Sequence, residues 1–214
     1  MKQVKLFDDF YQFNSGSDFI PITFNQYLLL GSEPLLVHTG SIDQTKELLP
    51  KIKDLLGSQQ LSYIFVSHFE SDECGGLGFL LEHYPQAKTI CSEITARQLK
   101  GFGITHEIII KKPNETLETD DCQLNFIAYP SEMHLWEGLL VMEEKRGIFF
   151  SADLFIRMGN ITDPIVDSKW AEEVKSITDQ NIPSSSAREA LQSTLLNLPV
   201  RYVALGHGPF LKVQ

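Results

Sequence analysis

The sequence predicts an α/β fold of two sheets packed face to face with helices outside, a four-layer αββα sandwich. Three observations predict it. Strand-length apolar runs alternate with helical stretches in both halves of the chain. After an opening hairpin the first half follows a βαβα rhythm, whereas the second half reads as a meander of strands followed by two helical stretches. Finally, 214 residues, 43% of them hydrophobic, can bury a sizeable core and lie within the range of one large domain. The expected organisation is a single domain over 1–214, without internal repeats or low-complexity segments.

Taken in order, "QVKLFDDFYQF" and "ITFNQYLLLGSEPLLVHTG" are β-rich, and Gly31 to Pro34 form the turn of a hairpin. From Ser41, a suitable N-cap, Ile42, Leu48, Leu49, Ile52, Leu55 and Leu56 recur at helical spacing until Gly57. "LSYIFVS" reads as a buried strand whose carboxyl end delivers the loop "HFESDE". "GGLGFLLEHYP" suggests a helix ended by Pro85, "AKTICS" a strand, and "EITARQLKGFG" a helix closed by glycine. "HEIII", "ETLE", "CQLNFIAYP", "GLLVMEE" and "GIFFSADL" follow as strands, with a tight turn at Lys145 to Gly147. "SKWAEEVKSITDQ" and "SAREALQSTLLNL" read as helices, the second capped by Ser186 or a neighbour. A last strand, "RYVAL", runs into "GHGP".

The formal net charge of -10 argues against a nucleic-acid surface, which needs clustered Lys and Arg to displace counterions from phosphates. Small molecules or proteins are the expected partners. Cys74, Cys91 and Cys122 form an odd set without CxxC spacing, and the amino terminus lacks a secretory pattern, which points to a reducing cytoplasmic location. The apolar runs fall short of the roughly 20 residues needed to cross a bilayer.

Chemistry concentrates at a few strand ends. In "HFESDE", His68, Glu70 and Asp72 occupy alternate positions, so an extended stretch would point them one way and a turn would fan them around a point. His134 in "YPSEMHLWEG", Asp153 in "GIFFSADLF" and His207 in "YVALGHGPF" each follow or end a strand-like run, where sites form in α/β folds. Each residue alone is unremarkable as a polar loop, capping or packing residue; four such segments together are not. Asp153 lies in a very apolar stretch, and a buried carboxylate there calls for a cation or hydrogen bonds. The set holds three imidazoles and three carboxylates with no thiolate, which suits iron, leaving manganese and zinc open.

The order His-x-Glu-x-Asp, then a distant His, an Asp and a final His in "GHGP", resembles the diiron domain of flavodiiron proteins, a branch of the metallo-β-lactamase fold. The opening "ITFNQYLLLGSEPLLVHTG" is more specifically similar to the standalone oxygen-binding diiron proteins. The resemblance spans about residues 20 to 209. It implies that His68, Glu70 and His134 hold one iron, Asp72 and His207 the other, that Asp153 bridges them, and that dioxygen or nitric oxide binds between. Two ferrous ions can supply two electrons to dioxygen, and further reduction needs electrons from outside. Full-length relatives carry a flavodoxin domain for this, which is not expected within these 214 residues. The resemblance therefore implies a cytoplasmic oxygen sensor in bacterial signalling, with a signalling protein as partner and a dimer as one expected state. The alternative is an oxygen or nitric oxide reductase fed by a separate flavodoxin or rubredoxin.

The sequence also departs from the wider pattern. Glu73 stands where hydrolases and many flavodiiron proteins have a histidine, which leaves the second iron either an open position or an additional carboxylate. His38 stands where the fold usually has an aspartate before "TG", and is expected to pack in the core or support the site from behind. Cys74 is expected to be a small packing residue rather than a reactive thiol. Gly75 and Gly76 suit a tight turn or a close backbone approach. Phe69 is expected to face apolar surroundings, and Trp136 to shield the metals. Two rival functions remain. A dinuclear zinc hydrolase has the fold behind it, but Glu70 replaces a histidine and an extra anionic donor weakens the Lewis acidity that activates water. A metal-free interaction module conflicts with the presence of all six ligands.

Overall fold

A computed structural model describes residues 1–17, 19–130, 138–159 and 161–214. It contains the two expected sheets. The first has seven strands in chain order: β1 (Lys2–Phe7), β2 (Phe10–Gly16), β3 (Thr23–Leu29), β4 (Leu35–Val37), β5 (Tyr63–Phe65), β6 (Lys88–Cys91) and β7 (Ile108–Ile110). β1 to β4 pair antiparallel, with Leu29 opposite Leu35 at the hairpin, and β4 to β7 pair parallel. The parallel part requires crossovers, supplied by the helices α1 (Ile42–Leu56), α2 (Ser71–Cys74), α3 (Leu77–His83) and α4 (Glu93–Gly101).

The second sheet contains β8 (Thr116–Glu118), β9 (Gln123–Tyr129), β10 (Gly138–Glu143), β11 (Ile148–Ile156), β12 (Ile165–Ser168), β13 (Tyr202–His207) and β14 (Phe210–Val213) in the order β12-β14-β13-β11-β10-β9-β8. The expected meander is present as β8 to β11, antiparallel throughout, but "HEIII", read as its first strand, is β7 and pairs in parallel with β6 at the edge of the first sheet. β13 then joins β11 in parallel, after the helices α5 (Trp170–Lys175) and α6 (Ser185–Leu196).

Four layers follow from three apolar cores. Leu28, Leu36 and Ile64 of the first sheet pack with Leu48 and Ile52 of α1, Leu77 and Leu81 of α3, and Leu99 of α4. Phe149, Val203 and Leu211 of the second sheet pack with Trp170 of α5 and Leu195 of α6. Between the sheets lie Phe10, Tyr27, Leu29, Leu35, Phe65, Phe126, Phe150 and Phe210. The alternation is strict where it matters: Leu28 and Leu36 face the helices, whereas their neighbours Leu29 and Leu35 face the other sheet.

Sequence reading omitted three elements. α2 is a single turn inside the "HFESDE" loop, and β12 and β14 are four-residue strands. Some details also differ. Ile42, read as part of the apolar stripe of α1, is exposed, and the N-cap of α6 is Ser184, whose side chain accepts from the Ala187 N–H. Asp153 lies inside β11 rather than at its end. Among the described residues, no helix is long and apolar enough to cross a membrane.

Candidate metal centre

Five of the six predicted ligands converge at one rim of the sandwich, above the layer between the sheets. His68 follows β5 and Glu70 is the N-cap residue of α2. Asp72 lies on α2, Asp153 in β11, and His207 at the end of β13. His134 and Trp136 lie outside the described residues. The alternate spacing of His68, Glu70 and Asp72 converges through a turn, because Ser71–Cys74 wind into α2 and aim Asp72 and Glu73 inward.

Asp153 is central. Its Oδ2 lies 3.3 Å from His68 Nε2 and its Oδ1 lies 3.0 Å from His207 Nε2, so each oxygen faces a different imidazole. His68 Nε2 is also 3.2 Å from Glu70 Oε2, and His207 Nε2 is 3.4 Å from Asp72 Oδ2. His207 Nε2 meets Asp153 Oδ1 as an ion-pair contact, and among the described residues that buried oxygen has no hydrogen-bond partner. Two groups of metal-capable side chains result: His68, Glu70, Glu73 and Asp153, and Asp72, Glu73 and His207.

Backbone strain holds Asp153 in place. Ala152 has φ 44° at a register shift in the β11–β13 pairing, a left-handed conformation that is costly for a residue with a side chain. Gly206 lets β13 pass close by: a methyl group there would sit 2.9 Å from the Ala152 carbonyl oxygen and 3.1 Å from Asp153 Oδ1. On the His68 side, the Leu139 N–H donates to the Ser67 carbonyl at 2.8 Å, and a methyl group at Gly138 would press on that same oxygen.

A supporting layer of hydrogen bonds aims both imidazoles. His207 Nδ1 lies 2.9 Å from the Thr23 carbonyl, which can only accept, so Nδ1 carries a proton and Nε2 faces the carboxylates. His68 Nδ1 lies 2.9 Å from Ser67 Oγ, and Ser67 Oγ lies 2.9 Å from His38 Nε2. With His68 Nδ1 donating to Ser67 and the Ser67 hydroxyl donating to His38, His68 Nε2 is turned to the centre. His38, with φ 63°, is the buried supporting histidine that its position suggested. Burial and the nearby His68 lower its pKa to about 3, keeping it neutral and able to accept.

The electrostatics describe a site crowded with anions. Burial alone would raise Asp153, but His207 and His68 hold it well below the usual carboxylate range. Burial opposes protonation of His68, yet Asp153 and Glu70 outweigh it and bring the imidazole up to about 9. Burial and the charge of Asp153 push both Asp72 and Glu73 upward. Among the described residues, four carboxylates, Glu70, Asp72, Glu73 and Asp153, surround two imidazoles, and full ionisation would place four negative charges there. Two divalent cations carry the matching charge, and among the described residues the buried Glu73 Oε2 and Asp153 Oδ1 lack hydrogen-bond partners. The donor set therefore fits a pair of divalent ions, and its oxygen-rich character fits iron better than zinc.

A family model described as ODP family beta lactamase matches residues 22–208. The chain belongs to that family. Among its relatives, the flavo-diiron protein FprA2 of Clostridium acetobutylicum is 27% identical over 61% of this chain and 33% of its own length. A nitric oxide reductase of Moorella thermoacetica is 25% identical over 87% of this chain and 49% of its own. The rubredoxin oxygen:oxidoreductase of Desulfovibrio gigas shares the fold, with a TM-score of 0.81 at 17% identity over 99% of this chain and 58% of that one. The chain thus spans about a third to half the length of these curated relatives. Membership in the ODP family agrees with the resemblance read from the ligand pattern, and the two-sheet architecture is that of the metallo-β-lactamase-like flavodiiron structures.

Neighbouring residues behave as their surroundings dictate. Cys74 is buried, its thiol donates to the Glu70 carbonyl, and burial pushes it up to about 12, so it is a packing residue. Phe69 packs on the helix-side core and against Phe102. Gly75 and Gly76 serve close approach: a methyl group would collide with the Ser71 carbonyl oxygen in one case and with Thr45 Oγ1 in the other. Sequence reading missed Ser67 and Thr23. Ser67 carried a usable signal, a hydroxyl beside a proposed ligand; Thr23 acts through its backbone carbonyl, which no side chain advertises.

Proposed function

We propose that this chain is a non-haem diiron protein that binds dioxygen, and that it serves as an oxygen sensor. His68, Glu70 and His134 hold one iron, Asp72 and His207 the other, and Asp153 is shared. The observation that supports a dinuclear centre is the placement of Asp153, whose two oxygens face the Nε2 atoms of two imidazoles from different strands. When bound, the two ferrous ions supply two electrons to dioxygen. The protein's part is preorganisation: Thr23 and Ser67 fix which imidazole nitrogens face inward, and Phe24 and Tyr129 form T-shaped ring contacts with His207 and His68.

Sensing draws on the match to the ODP family and on the resemblance of the opening "ITFNQYLLLGSEPLLVHTG" to the oxygen-binding diiron proteins. A second reading, reduction of dioxygen or nitric oxide with a flavodoxin or rubredoxin as donor, draws on the names of the relatives. Oxygen uptake by the iron-loaded protein separates the two. A sensor takes up a single dioxygen per iron pair and stops, with or without rubredoxin and a reductant. Continuous uptake with the donor supports the reductase instead. A zinc hydrolase is disfavoured by Glu70, and turnover of lactam or thioester substrates by the zinc-loaded protein would revive it.

A further inference from the structure

Glu73 is a buried carboxylate outside the six-ligand pattern read from the sequence. It follows Asp72 on α2 and is 1% exposed, and among the described residues its Oε2 has no hydrogen-bond partner. Its backbone is pinned, because the Glu73 carbonyl accepts from the Thr39 N–H at 2.8 Å. The side chain is buried toward the centre, with Oε2 3.9 Å from His68 Nε2. Glu73 belongs to both groups of metal-capable residues, whose donor atoms lie within 4.8 Å of one another in each. Burying such an oxygen without a partner is costly unless a cation compensates it.

We propose that Glu73 is a seventh metal ligand, which completes the donor set on the Asp72 and His207 side with a carboxylate. The inference rests on the dinuclear reading. Under that reading the first iron has His68, Glu70, His134 and the shared Asp153, while the second has only Asp72, His207 and Asp153; Glu73 makes the two sets equal in number. It also brings the carboxylates to four, so that two ferrous ions are balanced in charge. An anionic oxygen donor favours the harder, more highly charged ion. The second iron is thereby biased toward the ferric state, and the site toward iron over zinc.

The test compares the wild type with Glu73→Gln, which keeps the shape and removes the charge. Both proteins are loaded anaerobically with ferrous iron, and the affinity of each iron is measured by chelator competition, the reduction potential by spectroelectrochemical titration, and the melting temperature without metal. Removing a ligand should weaken the second iron by no less than the roughly 10- to 100-fold lost when an outer hydrogen-bond partner is removed. The first iron should be held nearly as before, the potential should rise, and the metal-free protein should melt no lower than the wild type. Unchanged second-iron affinity and potential would overturn the proposal, as would a lower melting temperature with metal binding intact, which marks a structural carboxylate. Failure of the wild type to bind a second iron would instead overturn the dinuclear reading and this proposal with it. Should Glu73→Gln not fold, Glu73→His supplies a neutral donor; it should hold both irons at a higher potential than the wild type, and an equal potential overturns the role.

Discussion

At the scale of single residues, Asp153 connects the two halves of the site. Asp153→Ala removes an oxygen from each proposed set and should weaken both metals in a titration followed by metal analysis; loss of only one would contradict a shared role. Ser67→Ala removes the link that fixes the His68 tautomer. It should cost roughly 10- to 100-fold in metal affinity with the fold intact, and circular dichroism alongside the titration checks both points. The metal-free protein should also respond to pH. His68 titrates at about 9 when folded, above its ordinary 6.5. Its interactions with Asp153 and Glu70 therefore stabilise the metal-free fold fully below about 6.5, and this contribution is lost as the pH rises through about 9. Thermal unfolding across that interval should show a falling melting temperature. Metal affinity should move oppositely, because each ion displaces an imidazole proton. Proton release on metal addition at neutral pH, read in weakly buffered solution, checks that sign. The five candidate side chains that the fold brings together were legible at this scale because each follows or lies within an apolar strand. Glu73 was legible only as a departure from the family pattern, since its burial depends on how α2 turns.

At the scale of elements, α1 shows what local chemistry can fix. Ser41 and Gln44 form a reciprocal capping box and the helix stops at Gly57, both readable because caps act within a few residues. Ser41→Ala should cost about 1 kcal/mol in denaturant unfolding. The turn after α2 depends on the fold as a whole: a methyl group at Gly76 meets Thr45 Oγ1 on α1. Gly76→Ala should therefore destabilise by about 1–3 kcal/mol and displace α2 with its two carboxylates. The short elements escaped sequence reading for physical reasons. α2 is one turn and too short for a period, and β12 is largely exposed, so it lacks the alternation that marks a half-buried strand. β14 follows the Gly208–Pro209 turn, where the sequence reads as a loop, and gains its place only by pairing with β13 and β12.

At the scale of the molecule, the site exists because two sheets are held in register at one rim. Asn25 donates to the carbonyls of Leu205 and Gly208 at 2.9 and 2.8 Å, and the Tyr27 hydroxyl donates to Leu205 at 2.8 Å, tying β3 to the strand that delivers His207. These contacts join residues some 180 positions apart, and no local sequence pattern announces them. The layered architecture was legible because alternation assigns each strand residue to a helix-facing or sheet-facing core; the cross-sheet polar ties were not, because Asn25 and Tyr27 look like ordinary strand residues. The proposed ligands come from separate segments of both sheets, so bound metal would link the halves and should raise the melting temperature well above that of the metal-free protein. The central claim, a dinuclear iron centre that binds dioxygen, is tested most directly by loading the protein anaerobically with ferrous iron, counting the metal, and admitting air without reductant. Two irons per chain and a long-lived visible charge-transfer band are expected. Fewer than one tightly held iron per chain, or two irons with no colour on exposure to air, would contradict it.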